Sequence, residues 1–441
     1  MSMENEKIVA SLDIGTTQIS ALVGKKQASG QVEVLGIGTA ASEGVVRGVV
    51  ANIDKTVAAI EKAVAQAEDT SNIDIHVVNV GIAGQHIRST VHQGSITREA
   101  VGEEITVEDV TRLTSDMYRM VTPPGSEIIH VAPQHYCVDY EEAIKDPVGM
   151  SGVKLEGDFH VITAPTSAIN NVHKCAKRAG LEVDRLILTP LAASLAVLSD
   201  EEKEAGVCLI DIGGGTIDMA IFQEGILLHT EVLPFGSEAI TADIKQGCGV
   251  MESQATLLKT KFGKAIAEEA EAHALITIPG LRSRPAKEIS VRNLAHIIEA
   301  RMEETIELIH TRLISLGFQS KLSAGMVITG GGARLQHVQQ LFEFMTGMDI
   351  RIGYPDEHLR PNSSVVLKST HYATSVGLLL AGFKALDYRE EYYKTTERTM
   401  GTANQHRKKK GDTSPDFFRR LLNRTKGLLI DDYDDKNGYQ G

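Results

Sequence analysis

Short apolar runs that stop at glycine dominate the chain, and stretches with a helical period lie between them. Residues 207–210 (VCLI) read as a buried strand that ends on Asp211; Gly213, Gly214, Gly215, Thr216 and Asp218 follow, and a second apolar run occupies 219–222. Run, glycines, run is the pattern of a tight β-hairpin whose tip is free of obstructing side chains. Such a tip brings backbone N–H groups against a phosphate, while a carboxylate at the strand end faces the accompanying cation. Residues 8–24 (IVASLDIGTTQISALVG) repeat the pattern, with Asp13, Gly15, Thr16 and Thr17 at the turn. A third apolar strand, within 326–336 (MVITGGGARLQ), runs into Gly330, Gly331 and Gly332 and then a helix, which suits a nucleoside lying flat on bare backbone. Two D-I-G hairpins, at 13–15 and 211–213, imply two similar domains facing each other, with one Mg-nucleotide phosphate chain between the tips.

The remaining pattern supplies the layers around those turns. Residues 32–39 read as a further strand, and Ile53, Val57, Ile60, Val64 and Ala67 mark one face of an amphipathic helix over 52–68. A strand at 74–82 ends in Ala83-Gly84. Residues 85–164 change character. A short strand at 94–98, a helix opened by Thr106 with Asp109 three residues on, a break at 123–125 (PPG) and alternating strands in 127–140 and 154–164 predict a small inserted α+β module. A helix at 166–180, a strand at 181–188 and a helix from Thr189 then lead to the second hairpin. Beyond Phe235-Gly236-Ser237 a long helical region is expected over about 237–272, followed by a basic loop at 280–290 and a helix over 291–316. A small-residue helix at 372–382 closes the core near the hinge.

Composition narrows the class. The chain has 441 residues, 42% hydrophobic and 23% charged, enough for two or more domains with a substantial core. Four scattered cysteines without a C-x-x-C pair suit a reducing cytoplasm and argue against a zinc site or a disulfide framework. His86, His92, His130, His135 and His160 lack metal-ligand spacing. No run is long enough to span a bilayer, no signal-peptide pattern opens the chain, and the net charge of −13 argues against a nucleic-acid binder.

The average charge conceals a basic tail. Residues 387–413 are polar, carry RKKK at 407–410 and read as a flexible linker. In 414–430 (SPDFFRRLLNRTKGLLI), Ser414 is placed as N-cap and Pro415 at the first helical position. Phe417, Phe418, Leu421, Leu422, Leu428 and Leu429 form an apolar face flanked by Arg419, Arg420, Arg424 and Lys426, the pattern of a helix lying in a membrane interface. Each cation near an anionic lipid surface contributes up to about 1 kcal/mol. Six large apolar side chains add roughly 1.5–3 kcal/mol each at full burial, and less in the interface. That is enough for reversible attachment, strengthened by self-association. The acidic residues 431–435 stay in water.

Three glycine loops in this order resemble the actin, sugar kinase and DnaK-type ATPase superfamily. LDIGTT (12–17), DPVGMSGVKLE (146–156), GVCLIDIGGGTID (206–218), LAHIIEAR (294–301), VITGGGARL (327–335) and the tail helix together resemble bacterial FtsA, an actin-like division protein family. The position of the insertion matters most, since actin and MreB carry theirs elsewhere.

The resemblance implies two RNase H-like domains around a nucleotide cleft. Domain I takes 1–84, 165–197 and 361–386, with the insertion at 85–164. Domain II takes 198–238 and 303–360, with a small subdomain at 239–302; 387–413, 414–430 and 431–441 are linker, membrane helix and acidic tail. It further implies ATP binding, polymerisation, docking of the FtsZ C-terminal peptide on 239–302, recruitment of later division proteins through the insertion, and attachment to the cytoplasmic face of the membrane at the septum.

Carried over by position, Asp13 and Asp211 face Mg²⁺ through its waters. Gly15, Thr16, Thr17, Gly213, Gly214, Gly215 and Thr216 hold phosphate, with Gly236 beside them. Lys259, Gly330, Gly331 and Gly332 lie by the nucleoside. Arg301 is the residue expected to pair with acidic groups of the FtsZ peptide.

Two departures bear on turnover. Chaperone-type relatives have a water-positioning glutamate where this chain has Thr189, and 255–259 keeps Lys259 but lacks the glutamate of the A-E-x-x-K helix of MreB. Slow or undetectable ATP hydrolysis follows, and a rate above about 1 s⁻¹ contradicts it. An MreB-like filament protein and a small-molecule kinase of the same fold are the alternatives; the first is disfavoured by the insertion and the C-terminal helix, the second by the lack of an acceptor-site motif.

Overall fold

The computed structural model describes residues 7–403 apart from 28, 99–101, 280–284 and 361–364. The tail helix expected at 414–430, with Phe417, Phe418, Arg419, Arg420, Leu421, Leu422, Arg424, Leu428 and Leu429, lies outside the described residues.

The first lobe opens with β1 (Ile8–Ile14), β2 (Gln18–Lys26) and β3 (Val32–Ala41), an antiparallel meander. A short hairpin, β4 (Val45–Val46) and β5 (Val49–Val50), leads to α1 (Ile53–Ser71). The Asn52 side chain caps α1 by accepting from the Lys55 N–H, and Asn72 ends it in the left-handed region. Then β6 (Val77–Ile82) pairs parallel with β1.

The insertion comprises β7 (Arg88–Thr97), α2 (Val107–Tyr118), β8 (Ser126–Val138), β9 (Glu141–Ile144) and β10 (Lys154–Pro165), in sheet order β7-β10-β8-β9. The Thr106–Asp109 capping box forms at α2. The strand expected from 94 starts at Arg88, because every position from Arg88 to Thr97 is in register with β10. The module has its own core, in which the Tyr136 and Phe159 rings meet edge to face at 6.2 Å.

The chain then re-enters the first lobe through α3 (Thr166–Arg178), β11 (Glu182–Leu188) and α4 (Thr189–Val197), completing the sheet order β3-β2-β1-β6-β11. After α5 (Asp200–Ala205), the second lobe repeats the design. Strands β12 (Val207–Ile212), β13 (Ile217–Gln223) and β14 (Ile226–Leu233) form the meander.

Next come α6 (Glu238–Cys248), α7 (Glu252–Phe262), the hairpin β15 (Leu275–Ile278) and β16 (Lys287–Ser290), and α8 (Val291–Ser315). β17 (Met326–Thr329), α9 (Val338–Thr346) and β18 (Ile350–Ile352) complete the sheet order β14-β13-β12-β17-β18. In each lobe three antiparallel strands are followed by two parallel ones, which is the RNase H-like plan occurring twice. β1 and β12 are each flanked by neighbours on both sides, and β12 is buried along its whole length, hence its unbroken apolar run.

Beyond the insertion, the structure differs from the sequence expectation at three further places. The long helix expected over 237–272 is two helices, since Gly249 turns the chain into the left-handed region at φ 57 and Gly263 ends the second. The basic loop at 280–290 contains β16, paired with β15. The helix expected at 372–382 is α10 (Ala373–Ala403), running on through residues whose polarity read as linker. Most residues in 383–400 are good helix formers and none is proline, so nothing stops the helix at the core boundary.

Although its chain belongs to the first lobe, the insertion is hydrogen-bonded to the second. Gln134 Nε2 donates to the Leu227 and Leu228 carbonyls at 3.1 Å each, on the edge strand β14. His160 Nε2 and Thr230 Oγ1 lie 3.4 Å apart, and Lys145 pairs with Glu224 at 3.1 Å and Glu204 at 3.3 Å. His160 is buried, which drives its pKa down to about 3 and keeps the imidazole neutral.

Candidate functional site

The two D-I-G turns meet. A Cβ placed on Gly214 would lie 2.4 Å from Thr17 Cγ2, and one on Gly215 would lie 2.7 Å from Thr16 Cγ2. Only glycine lets the hairpin tips of the two lobes touch in this way. Gly236 serves the same end from beneath, since a Cβ there would lie 2.5 Å from the Gly214 carbonyl oxygen. The Ser237 and Glu238 N–H groups donate to the Gly213 and Gly214 carbonyls at 2.9 Å each and fix the tip.

A cleft opens beside the contact, lined by Asp13, Gly15, Thr16, Thr17, Asp211, Gly213, Gly214, Thr216, Gly330 and Gly331, all expected at the nucleotide. Gly215 and Gly236 act behind the lining by the close approaches just described. Lys259 and Gly332 line an adjoining pocket with Arg334 and Gln336, where the nucleoside is expected, and Gly331 borders both. Lys259 Nζ donates to the Ser237 carbonyl at 2.7 Å, and burial lowers its pKa to about 8.

Gly330 adopts φ +86, and a Cβ on it would lie 2.2 Å from Asp211 Oδ1. Thr370 holds this glycine from both sides, accepting its N–H at 3.2 Å through the backbone and donating to its carbonyl at 2.7 Å through the side chain. Arg301 stands on α8, away from the cleft, and its guanidinium is engaged by Asp243 (Nη2 to Oδ1, 3.1 Å) and by Glu304.

Sequence reasoning missed the groups that support the aspartates. Thr374 Oγ1 donates to Asp211 Oδ2 at 2.9 Å, and Ser375 Oγ approaches Asp13 Oδ2 at 3.4 Å. Two consecutive hydroxyls at the start of α10 therefore touch the cleft carboxylates of both lobes. The signal was present as two hydroxyls heading an otherwise apolar small-residue helix. A third carboxylate, Asp218, lies opposite Asp211 in the hairpin register and also lines the cleft, as does His371. That register follows from the tip alone.

Burial, with the Asp211 charge beside it, raises Asp13 to about 7. Burial raises Asp211 to about 6, and burial with the Asp211 charge raises Asp218 to about 7. Carboxylates so destabilised as anions are a fit for a cation, and Asp218 Oδ1 is buried without a hydrogen-bond partner. Among the described residues no group of three or more His, Cys, Asp or Glu is gathered closely enough to hold a metal ion directly.

The comparisons with known proteins agree with this geometry. The family model for cell division protein FtsA matches residues 208–377, the model for the SHS2 domain inserted in FtsA matches 84–163, and the Hsp70 protein model matches 161–228. Cell division protein FtsA of Pseudomonas aeruginosa is 38% identical over 383 residues, covering 87% of this chain and 91% of that protein. That of Escherichia coli is 32% identical over 406 residues, covering 90% and 96%. A solved PilM–PilN type IV pilus biogenesis complex superposes with a TM-score of 0.62 at 16% identity, covering 85% of this chain and 98% of that one, and so shares the fold. The fold is that of the actin-like, nucleotide-binding ATPases, and among the described residues no helix is long and apolar enough to cross a membrane. With two lobes of that fold, the SHS2 insertion and identities of this order along most of its length, the chain belongs to the FtsA family of bacterial cell division proteins.

Proposed function

We propose that this division protein binds Mg²⁺–ATP between its lobes, polymerises, and ties the FtsZ ring to the cytoplasmic face of the cell membrane at the septum. The observation that carries the nucleotide half is the tip-to-tip meeting of the Thr16–Thr17 and Gly214–Gly215 turns beside the Asp13, Asp211 and Asp218 carboxylates. Mg²⁺, when bound, supplies charge neutralisation between phosphate oxygens and the water shell faced by Asp13 and Asp211. Gly15, Thr16, Thr17 and 213–216 orient the phosphates by backbone N–H and hydroxyl groups. Lys259 and Gly330–Gly332 flank the nucleoside.

ATP is held rather than turned over. Thr189 Oγ1, where relatives place a glutamate, donates to Asp218 Oδ2 at 2.5 Å, so the position carries no base for the attacking water.

The membrane half rests on the amphipathic pattern of 414–430, and the FtsZ half on family membership and on the α6–α8 subdomain that presents Arg301. Since Arg301 is already engaged by Asp243 and Glu304, an acidic peptide would exchange with these acids for the guanidinium. The insertion is the surface for later division proteins.

One flotation experiment tests both attachments, using anionic liposomes and a labelled FtsZ C-terminal peptide. The full chain is expected to float and to carry the peptide. A chain ending at 405 should leave both at the bottom, and Arg301→Ala should float alone. Equal flotation of the shortened chain removes the anchor; peptide that still rises with Arg301→Ala removes that assignment.

A further inference from the structure

Among the described residues that line the phosphate cleft there is no lysine or arginine, and His371 is the one basic side chain on the lining. It lies on a short turn (Thr370–Tyr372), directly after the Thr370 that holds Gly330 and three residues ahead of the Thr374 that holds Asp211. A Cβ on Gly331 would lie 3.2 Å from His371 Nδ1, and Gly331 borders both the cleft and the nucleoside pocket. The imidazole therefore stands at the junction where the phosphate chain of a bound nucleotide joins its ribose.

The ring is placed but not engaged. Tyr372 meets it edge on, with ring centroids 5.3 Å apart, and among the described residues neither ring nitrogen has a hydrogen-bond partner. The charged groups on the segments packed against the turn are Arg334, Lys368 and, across Gly330, Asp211; Asp13 and Asp218 line the same cleft. Burial, and then the Arg334 charge, hold the imidazole below its ordinary 6.5, so without nucleotide it is neutral near pH 7.

We propose that His371 is the phosphate-binding cation of this cleft: its imidazole takes a proton from solvent as the nucleotide binds and donates to a phosphate oxygen beside the ribose. The role rests on the Mg²⁺–ATP reading. A phosphate anion next to the ring favours the imidazolium, and a hydrogen bond from that cation is stronger than one from the neutral ring. Proton uptake tightens the complex at low pH, and the benefit fades as pH rises through the value that the ring reaches with nucleotide bound. A lysine would supply its charge throughout this range, whereas a histidine makes nucleotide affinity respond to acidity.

The test compares the native chain with His371→Gln for affinity towards a fluorescent ATP analogue at fixed Mg²⁺ and ionic strength, with folding verified by circular dichroism. Glutamine keeps an N–H donor but cannot be protonated. The variant is expected to bind about tenfold more weakly than the native chain at about pH 6, and within about twofold of it at about pH 8.5. Titration of the nucleotide and of Asp13, Asp211 and Asp218 enters both proteins, so the ratio of the two affinities reports on the imidazole. A loss of equal size at both pH values gives His371 a packing role and overturns the proposal, as does equal binding throughout. Nucleotide binding that ignores the substitution leaves the ATP reading standing; no binding by either protein removes that reading and this role with it.

Discussion

Replacing Asp13 by asparagine is expected to stabilise the nucleotide-free protein above neutral pH and to weaken Mg²⁺–ATP binding. The carboxyl titrates near 7 in the fold against an ordinary value of 3.8, first because it is buried and then because Asp211 is beside it. The folded state thus holds a proton that the unfolded chain releases, so stability is lost as pH rises from about 4 to about 7. Asparagine keeps the shape and the contact with Ser375 but carries no charge to be stranded. At about pH 8 the gain is on the order of 1–2 kcal/mol, discounted for relaxation and for coupling to Asp211 and Asp218. The same change removes an anion facing the hydrated metal, costing roughly 10–100-fold in affinity for Mg²⁺–ATP. Thermal melts of both proteins at about pH 5.5 and 8, with and without Mg²⁺–ATP, check the pair of effects. A variant that melts lower than the native chain at high pH without nucleotide refutes the electrostatic account.

The second large effect lies where α10 packs on α4. Gly377 on α10 faces α4 so closely that a Cβ there would lie 1.8 Å from the Ala192 carbonyl oxygen and 2.3 Å from its carbon. Both obstacles are backbone, which cannot swing aside as the end of a side chain can. Gly377→Ala must part α4 and α10, where Leu195, Leu378 and Ala381 are packed out of solvent. Overpacking of this kind typically costs 1–3 kcal/mol, and about 3 or more is expected here because two helix backbones must move. Denaturant unfolding measures the loss. Gly347→Ala provides the contrast: φ is +68 there but a Cβ meets nothing within 4 Å, so only the smaller backbone penalty of roughly 1 kcal/mol applies. Equal losses at the two positions argue against close helix packing as the cause.

Much of this could be read from the sequence because the informative residues are local. Glycine at 213–215 and the flanking apolar runs specify a hairpin whatever surrounds it, and the second copy at 13–15 specifies a partner. The insertion announced itself through a break in periodicity and through the Thr106–Asp109 cap. What stayed hidden depended on distant pairing. Thr374 and Ser375 are unremarkable in a helix until the fold sets them beside Asp211 and Asp13, more than 160 and 360 positions away. Gly249 looked like one residue of a long helix because a left-handed stop depends on conformation, which periodicity does not record. The helical run past Leu386 was masked by polarity, which distinguishes buried from exposed positions but not coil from an exposed helix.

The strap between Gln134 and the Leu227–Leu228 edge makes the SHS2 module a mechanical gauge. Its peptide bonds anchor it to one lobe and its hydrogen bonds to the other, so the jaws cannot part along that edge without breaking Gln134, His160 and Lys145 from their seats. By thermodynamic reciprocity, a partner that bound the module only in this strapped arrangement would favour the closed cleft by the same factor.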